Sequence, residues 1–143
     1  MLIEGLQAYL SADATLQALL GTIASRSDNT TGIFPVIAPD EVPMPYMVCQ
    51  QVSGNPLQES MDGTGRLHTA RWRFSCYGTS YKNAKQLAAV LRVSLEALFG
   101  PLTGSVQVEG SWLKMEADDA EPIPHGTIYA THVDFEFEYL DLA

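Results

Sequence analysis

Positive charge is scarce in this chain. Lysine and arginine number 8 against 17 aspartates and glutamates, a formal net charge of −9. Proteins that hold nucleic acid take their affinity from clustered cations. Here the basic residues are scattered, apart from Arg66, Arg71 and Arg73 on one predicted strand. That balance argues against a nucleic-acid binder, and a negative surface repels DNA. Cysteine is equally sparse. Cys49 and Cys76 both lie in apolar, strand-like stretches and read as reduced core thiols, with a disulfide as the alternative. Long apolar runs are missing too. The richest stretch, residues 87–99, is broken by Arg92, Ser94 and Glu96 and falls short of a bilayer span. The opening MLIEGLQAYL carries Glu4 and no basic residue, unlike a secretory signal. The chain reads as soluble and made in the cytoplasm, with no membrane partner.

What is present is enough apolar material for a core. With 143 residues, 46% of them apolar and 17% charged, the chain is too apolar for disorder and suits one domain over 1–143. Leu2, Ile3, Leu6 and Leu10 recur at helical spacing, and Ser11 and Asp13 can cap a second short helix carrying Leu16, Leu19 and Leu20. Gly21 fits a helix stop. Residues 22–45 are rich in turn formers and proline, with a short strand predicted over 32–37.

YMVCQQVS at 46–53 reads as a strand, and residues 54–65 as a connection. Over 66–77, His68, Ala70, Trp72, Phe74 and Cys76 alternate with polar residues, the pattern of a half-buried strand. Thr79 or Ser80 then caps the best helix. Its apolar stripe is Ala84, Leu87, Ala88, Leu91, Leu95 and Leu98, and Gly100–Pro101 ends it. Residues 106–115 suggest a strand with Trp112 as a large anchor, and the acidic, proline-containing 116–126 a loop. In the last element Tyr129, Thr131, Val133, Phe135, Phe137 and Tyr139 alternate with a polar, largely acidic set. The fold expected is α+β: a mostly antiparallel sheet of about four to five strands, a long helix on one face and short N-terminal helices.

Catalytic signatures are missing. No serine sits in a Gly-x-Ser-x-Gly elbow, and Gly63–Thr64–Gly65–Arg66 lacks the lysine of a phosphate loop. His68, His125 and His132 are dispersed, so no metal set, cofactor or catalytic group is assigned. Cys49, Cys76 and His68 could meet on the sheet, which leaves a small enzymatic or ligand-binding domain using Cys76 and His68 as an alternative. The acids Asp118, Asp119 and Glu121 lack the alternating ligands of a calcium loop. Asp134, Glu136 and Glu138 form a row along one strand face and read as a surface stripe, solvated or lining a shared cavity.

The order of these motifs resembles the tail-completion, or tail terminator, proteins of long-tailed bacteriophages and gene-transfer particles. The resemblance runs through IEGLQAYLSADATLQALLG, PMPYMVCQQVSG, the block RLHTARWRFSCYGTSYKNAKQLAAVLRVSLEAL and the closing HVDFEFEY. It covers about Met1 to Tyr139, and 71–98 is its most specific part. It implies a non-enzymatic virion protein at the head–tail junction. Such a protein forms a ring, commonly a hexamer, with itself and caps the head-proximal end of the tail tube. It stops tube polymerisation and docks the head–tail connector. DNA would pass through without specific binding. On this reading Asp118, Asp119, Glu121, Asp134, Glu136 and Glu138 are candidates for the lumen wall. Pro39, Met44, Pro45, Pro56, Met61 and Arg66 are candidates for assembly loops. Another virion part of similar fold, a tube or head-completion protein, is the nearest alternative. The insertion SRSDNTTG lengthens residues 22–45 relative to many members.

Overall fold

The computed structural model describes residues 2–21, 31–36, 38, 43–59, 66–103, 105–124 and 126–141, with the main chain alone at 55–59 and 66. The elements are α1 Leu2–Ser11, α2 Ala14–Leu20, β1 Ile33–Pro35, β2 Tyr46–Glu59 and β3 Arg66–Gly78. They continue with α3 Tyr81–Glu96, β4 Gly100–Leu102, β5 Val106–Ile123 and β6 Gly126–Asp141. The strands form one sheet in the order β1-β2-β3-β6-β5-β4. All pairs are antiparallel except β1 with β2.

The helices start and stop where local chemistry dictates. Asp13 accepts the Thr15 and Leu16 N–H groups at the head of α2. Gly21 closes that helix at φ 88°, a left-handed conformation that glycine adopts freely. Ser80 caps α3 through the Asn83 N–H. The predicted stripe of α3, Ala84 through Leu98, is buried. It packs with Leu2, Leu6, Leu10, Leu16 and Leu20 against Met47, Phe74, Val133, Phe135 and Phe137. Each leucine so buried contributes about 2 kcal/mol of transfer free energy.

Two approaches close the structure around α1. A Cβ on Gly5 would stand 2.8 Å from the Leu102 Cβ and the Thr103 carbonyl, so the helix reaches β4 only because this position is glycine. The same helix also touches β1.

The sheet departs from expectation in four places. It has six strands rather than four or five, because Gly100, at φ 103°, leads out of the α3 terminus into β4. Residues 116–123, expected as a loop, continue β5 in full register with β6. Pro122 is tolerated there because no described strand lies on the outer side. The first part of the expected 54–65 connection likewise belongs to β2, through Glu59. Trp112 is not a core anchor. A bulge between Val108 and Gly110 reverses the alternation of β5 and leaves Trp112 46% exposed on the opposite face.

Candidate functional site

All three described helices cover one side of the sheet, and the other side carries none. Alternation along β6 sends Ala130, His132, Asp134, Glu136 and Glu138 to this helix-free face. The register aligns them with Tyr77, Ser75, Arg73, Arg71 and Thr69 of β3. On the other flank they meet Asp119, Ala117, Met115, Trp112 and Gly110 of β5. A polar surface is thus spread over the centre of the sheet.

Its middle is a charge clamp. Asp134 is fully buried, contrary to the expected surface stripe. Arg71 donates to it from Nε at 3.1 Å and from Nη2 at 2.9 Å. Arg73 donates from Nε at 2.8 Å and from Nη2 at 3.2 Å. Burial alone would raise the Asp134 pKa, but the hydrogen bonds from Arg73 and Arg71 outweigh it and hold the carboxyl below its usual range. One anion therefore occupies two of the chain's few guanidinium groups and leaves them little freedom to grip a phosphate.

The remaining acids divide between two sides. Glu136 lies 3.7 Å from Lys114. Glu138 is half-buried and Glu121 exposed, and neither has an ion-pair partner among the described residues. Asp119 approaches His132 Nε2 at 4.0 Å. Asp118, by contrast, turns toward α3. It accepts from Tyr81 Oη at 3.1 Å and from Thr131 Oγ1 at 3.3 Å, and pairs with Lys85 at 2.7 Å. The Lys85 hydrogen bond keeps the Asp118 pKa low. Glu116 joins this helix-side network through Lys85 and Arg92.

At the β1 end the face becomes aromatic. Phe34 meets Tyr46 edge-on at 6.2 Å, Tyr46 stacks on Tyr77 at 4.8 Å, and Tyr77 meets His132 edge-on at 6.5 Å. His132 Nδ1 is hydrogen-bonded to Ser75 Oγ at 2.7 Å. The expected assembly loops fare unevenly. Met44 and Pro45 are half-buried just ahead of β2. Pro56 and Arg66 lie within β2 and β3, opposite His68 and Glu59 respectively, and not in loops. Pro39, Met61 and His125 lie outside the described residues.

The thiol alternative loses its geometry. Cys49 and Cys76 are free and fully buried on the helix-covered side. Burial pushes the Cys49 thiol up to about 12 and raises Cys76 as well, the reverse of an activated nucleophile. His68 is eight residues along β3 from Cys76, roughly 26 Å at strand rise. It stacks on Tyr139 instead, at 5.3 Å. Among the described residues no three His, Cys, Asp or Glu side chains cluster as metal ligands.

The family described as "Tail completion protein gp17" matches residues 4–138. The chain belongs to that family. Among solved structures, 29 chains match. One, from "Virion of native gene transfer agent (GTA) particle", superposes with a TM-score of 0.65 at 18% identity, covering 95% of this chain and 92% of that one. At that identity the likeness shows a shared fold. No protein with a curated description matches. In this tail completion protein the Asp134 clamp was the feature that motif reading missed. Its signal was the Arg-x-Arg spacing of β3, one strand away from an isolated aspartate on β6.

Proposed function

We propose that this tail completion protein is a non-enzymatic virion component that forms a ring at the head-proximal end of the tail tube. The ring stops tube polymerisation, docks the head–tail connector and lets DNA pass. The family match over 4–138 carries the reading. The helix-free sheet face supports its last part. That face carries exposed carboxylates at Asp119 and Glu121 and half-buried ones at Glu136 and Glu138, while Arg71 and Arg73 are engaged by buried Asp134. A wall of this charge avoids the phosphate contacts that would stall a moving duplex. Asp118 drops out of the proposed lumen set because it faces α3, and Asp134 because it is buried.

The test is imaging of purified tail tubes with and without added protein. Single rings at one end, with elongation arrested, support the reading; unlimited growth of the protein itself points to a tube subunit. Bare, still-growing tubes would falsify it. For the lumen, the triple variant Glu121→Lys, Glu136→Lys, Glu138→Lys should cap tubes normally yet give particles that release DNA slowly. Normal release would overturn the assignment of this face.

A further inference from the structure

We infer that neighbouring copies in the ring join head to tail by main-chain pairing between unlike sheet edges. The proposal rests on the ring reading and adds to it the strands that meet. β1 pairs with β2 only at Met47, Val48 and Cys49, and β4 with β5 only at Val106, Gln107 and Val108. Among the described residues, β2 from 50 to 59 and β5 from 109 to 123 have no strand on their outer sides. Such rows of unpaired N–H and C=O groups are templates for strand addition.

The two open edges are matched in shape. The open part of β2 lies beside the Arg66 end of β3, running from Gln50 opposite Arg73 to Glu59 opposite Arg66. The open part of β5 extends the other way, past the β6 residues that pair with Gly78. One boundary of the sheet is therefore notched at one end and the other boundary at the opposite end. A copy rotated about an axis along the strands sets its β1 into the notch beside β5, and its own β2 notch receives the neighbour's β4. β2 and β5 run in opposite directions, since three antiparallel pairings separate them. The β1–β2 side thus meets β5 antiparallel.

Charge decides between a like and an unlike pairing. The open edge of β5 carries Glu116, Asp118, Asp119 and Glu121. Two such edges face to face would align these acids against one another, and like charges opposite across a strand pair destabilise it. β1, reading IFP, and the β2 edge from 50 to 58, reading QQVSGNPLQ, are both neutral, so this side brings no acid to face the β5 row. Exposed apolar side chains flank both edges, Trp112 and Ile123 on β5 and Val52 on β2. Unlike edges give a heterologous contact, the type that closes into rings.

The experiment is residue-resolved amide hydrogen exchange, comparing the free chain with the chain bound as rings on purified tubes. Half of the amides on an edge strand already bond inward, so pairing must slow alternate residues only. The expected result is slowing of about tenfold or more at alternate residues within 116–118, level with β1 of one neighbour, and within 57–59, level with β4 of the other. Rings with no such alternation overturn edge pairing and leave the ring reading standing; an absence of rings removes both. A second measurement uses Val52→Lys, which should leave the free chain folded and reduce tube capping about tenfold or more. Val93→Lys, on the exposed outer side of α3, should cap as the unsubstituted chain does. Equal capping by both variants overturns the proposal.

Discussion

Replacing Asp134 by asparagine tests whether the clamp is the electrostatic centre of the helix-free face. The change keeps the shape and one acceptor oxygen but removes the charge that orders Arg71 and Arg73. Breaking a fully buried pair costs about 3–5 kcal/mol. The two guanidinium groups are 36% and 39% exposed, so water recovers part of that loss. The expected destabilisation is about 2–3 kcal/mol at pH 7. Against a domain stability of about 5–15 kcal/mol the variant still folds. Its melting temperature should fall by roughly 5–10 °C.

The pH dependence gives the second half of this test. The folded-state pKa of Asp134 lies below its ordinary value near 3.9. Its contribution is therefore fully present above that value and fades as pH falls through the depressed folded pKa. Urea unfolding of both proteins from pH 7 to pH 2 should show a constant gap down to about pH 4 and a shrinking one below. A gap that is pH-independent, or under about 0.5 kcal/mol at neutrality, would refute the claim that the buried carboxylate holds the two arginines.

Three further outcomes follow from the same structure. Leu91→Ala, at a fully buried position of α3, should destabilise by about 2–5 kcal/mol in urea unfolding, since the cavity adds to the lost transfer term. Ser80→Ala should cost about 1 kcal/mol by removing the acceptor for the Asn83 N–H, measured the same way. Neither thiol should react with a water-soluble disulfide reagent in the folded protein, and both should react once urea unfolds it. Rapid labelling of native Cys76 would restore the thiol-based alternative.

Much of the architecture was legible because some elements carry their own instructions. α3 could be read from its stripe, its Ser80 cap and its glycine stop. β6 could be read from alternation, which also separated Phe135 and Phe137 from Glu136 and Glu138. Distant partners set the rest. Residues 116–123 look like a loop because acids and Pro122 dominate, yet pairing with β6 extends them, as tertiary context often overrides strand propensity. Trp112 was misplaced because a single bulge, invisible in the residue pattern, reverses which side chains face α3. Asp134 was misread for a similar reason. Its burial depends on Arg71 and Arg73, 63 and 61 residues away, becoming cross-strand neighbours.

That separation has a consequence for synthesis. The middle of the sheet is the β3–β6 pair, and β6 leaves the ribosome only after α3, β4 and β5. Until then β3 presents its own bare edge, with Trp72, Phe74 and Cys76 uncovered by Phe135 and Phe137. Non-local pairing of this kind is slow and aggregation-exposed. A product cut short before residue 126 would have none of the β6 residues of the helix-free face and would lose one of the two strands on which α3 chiefly packs. Nonsense fragments should therefore be insoluble bystanders, unable to enter the proposed ring and poison it.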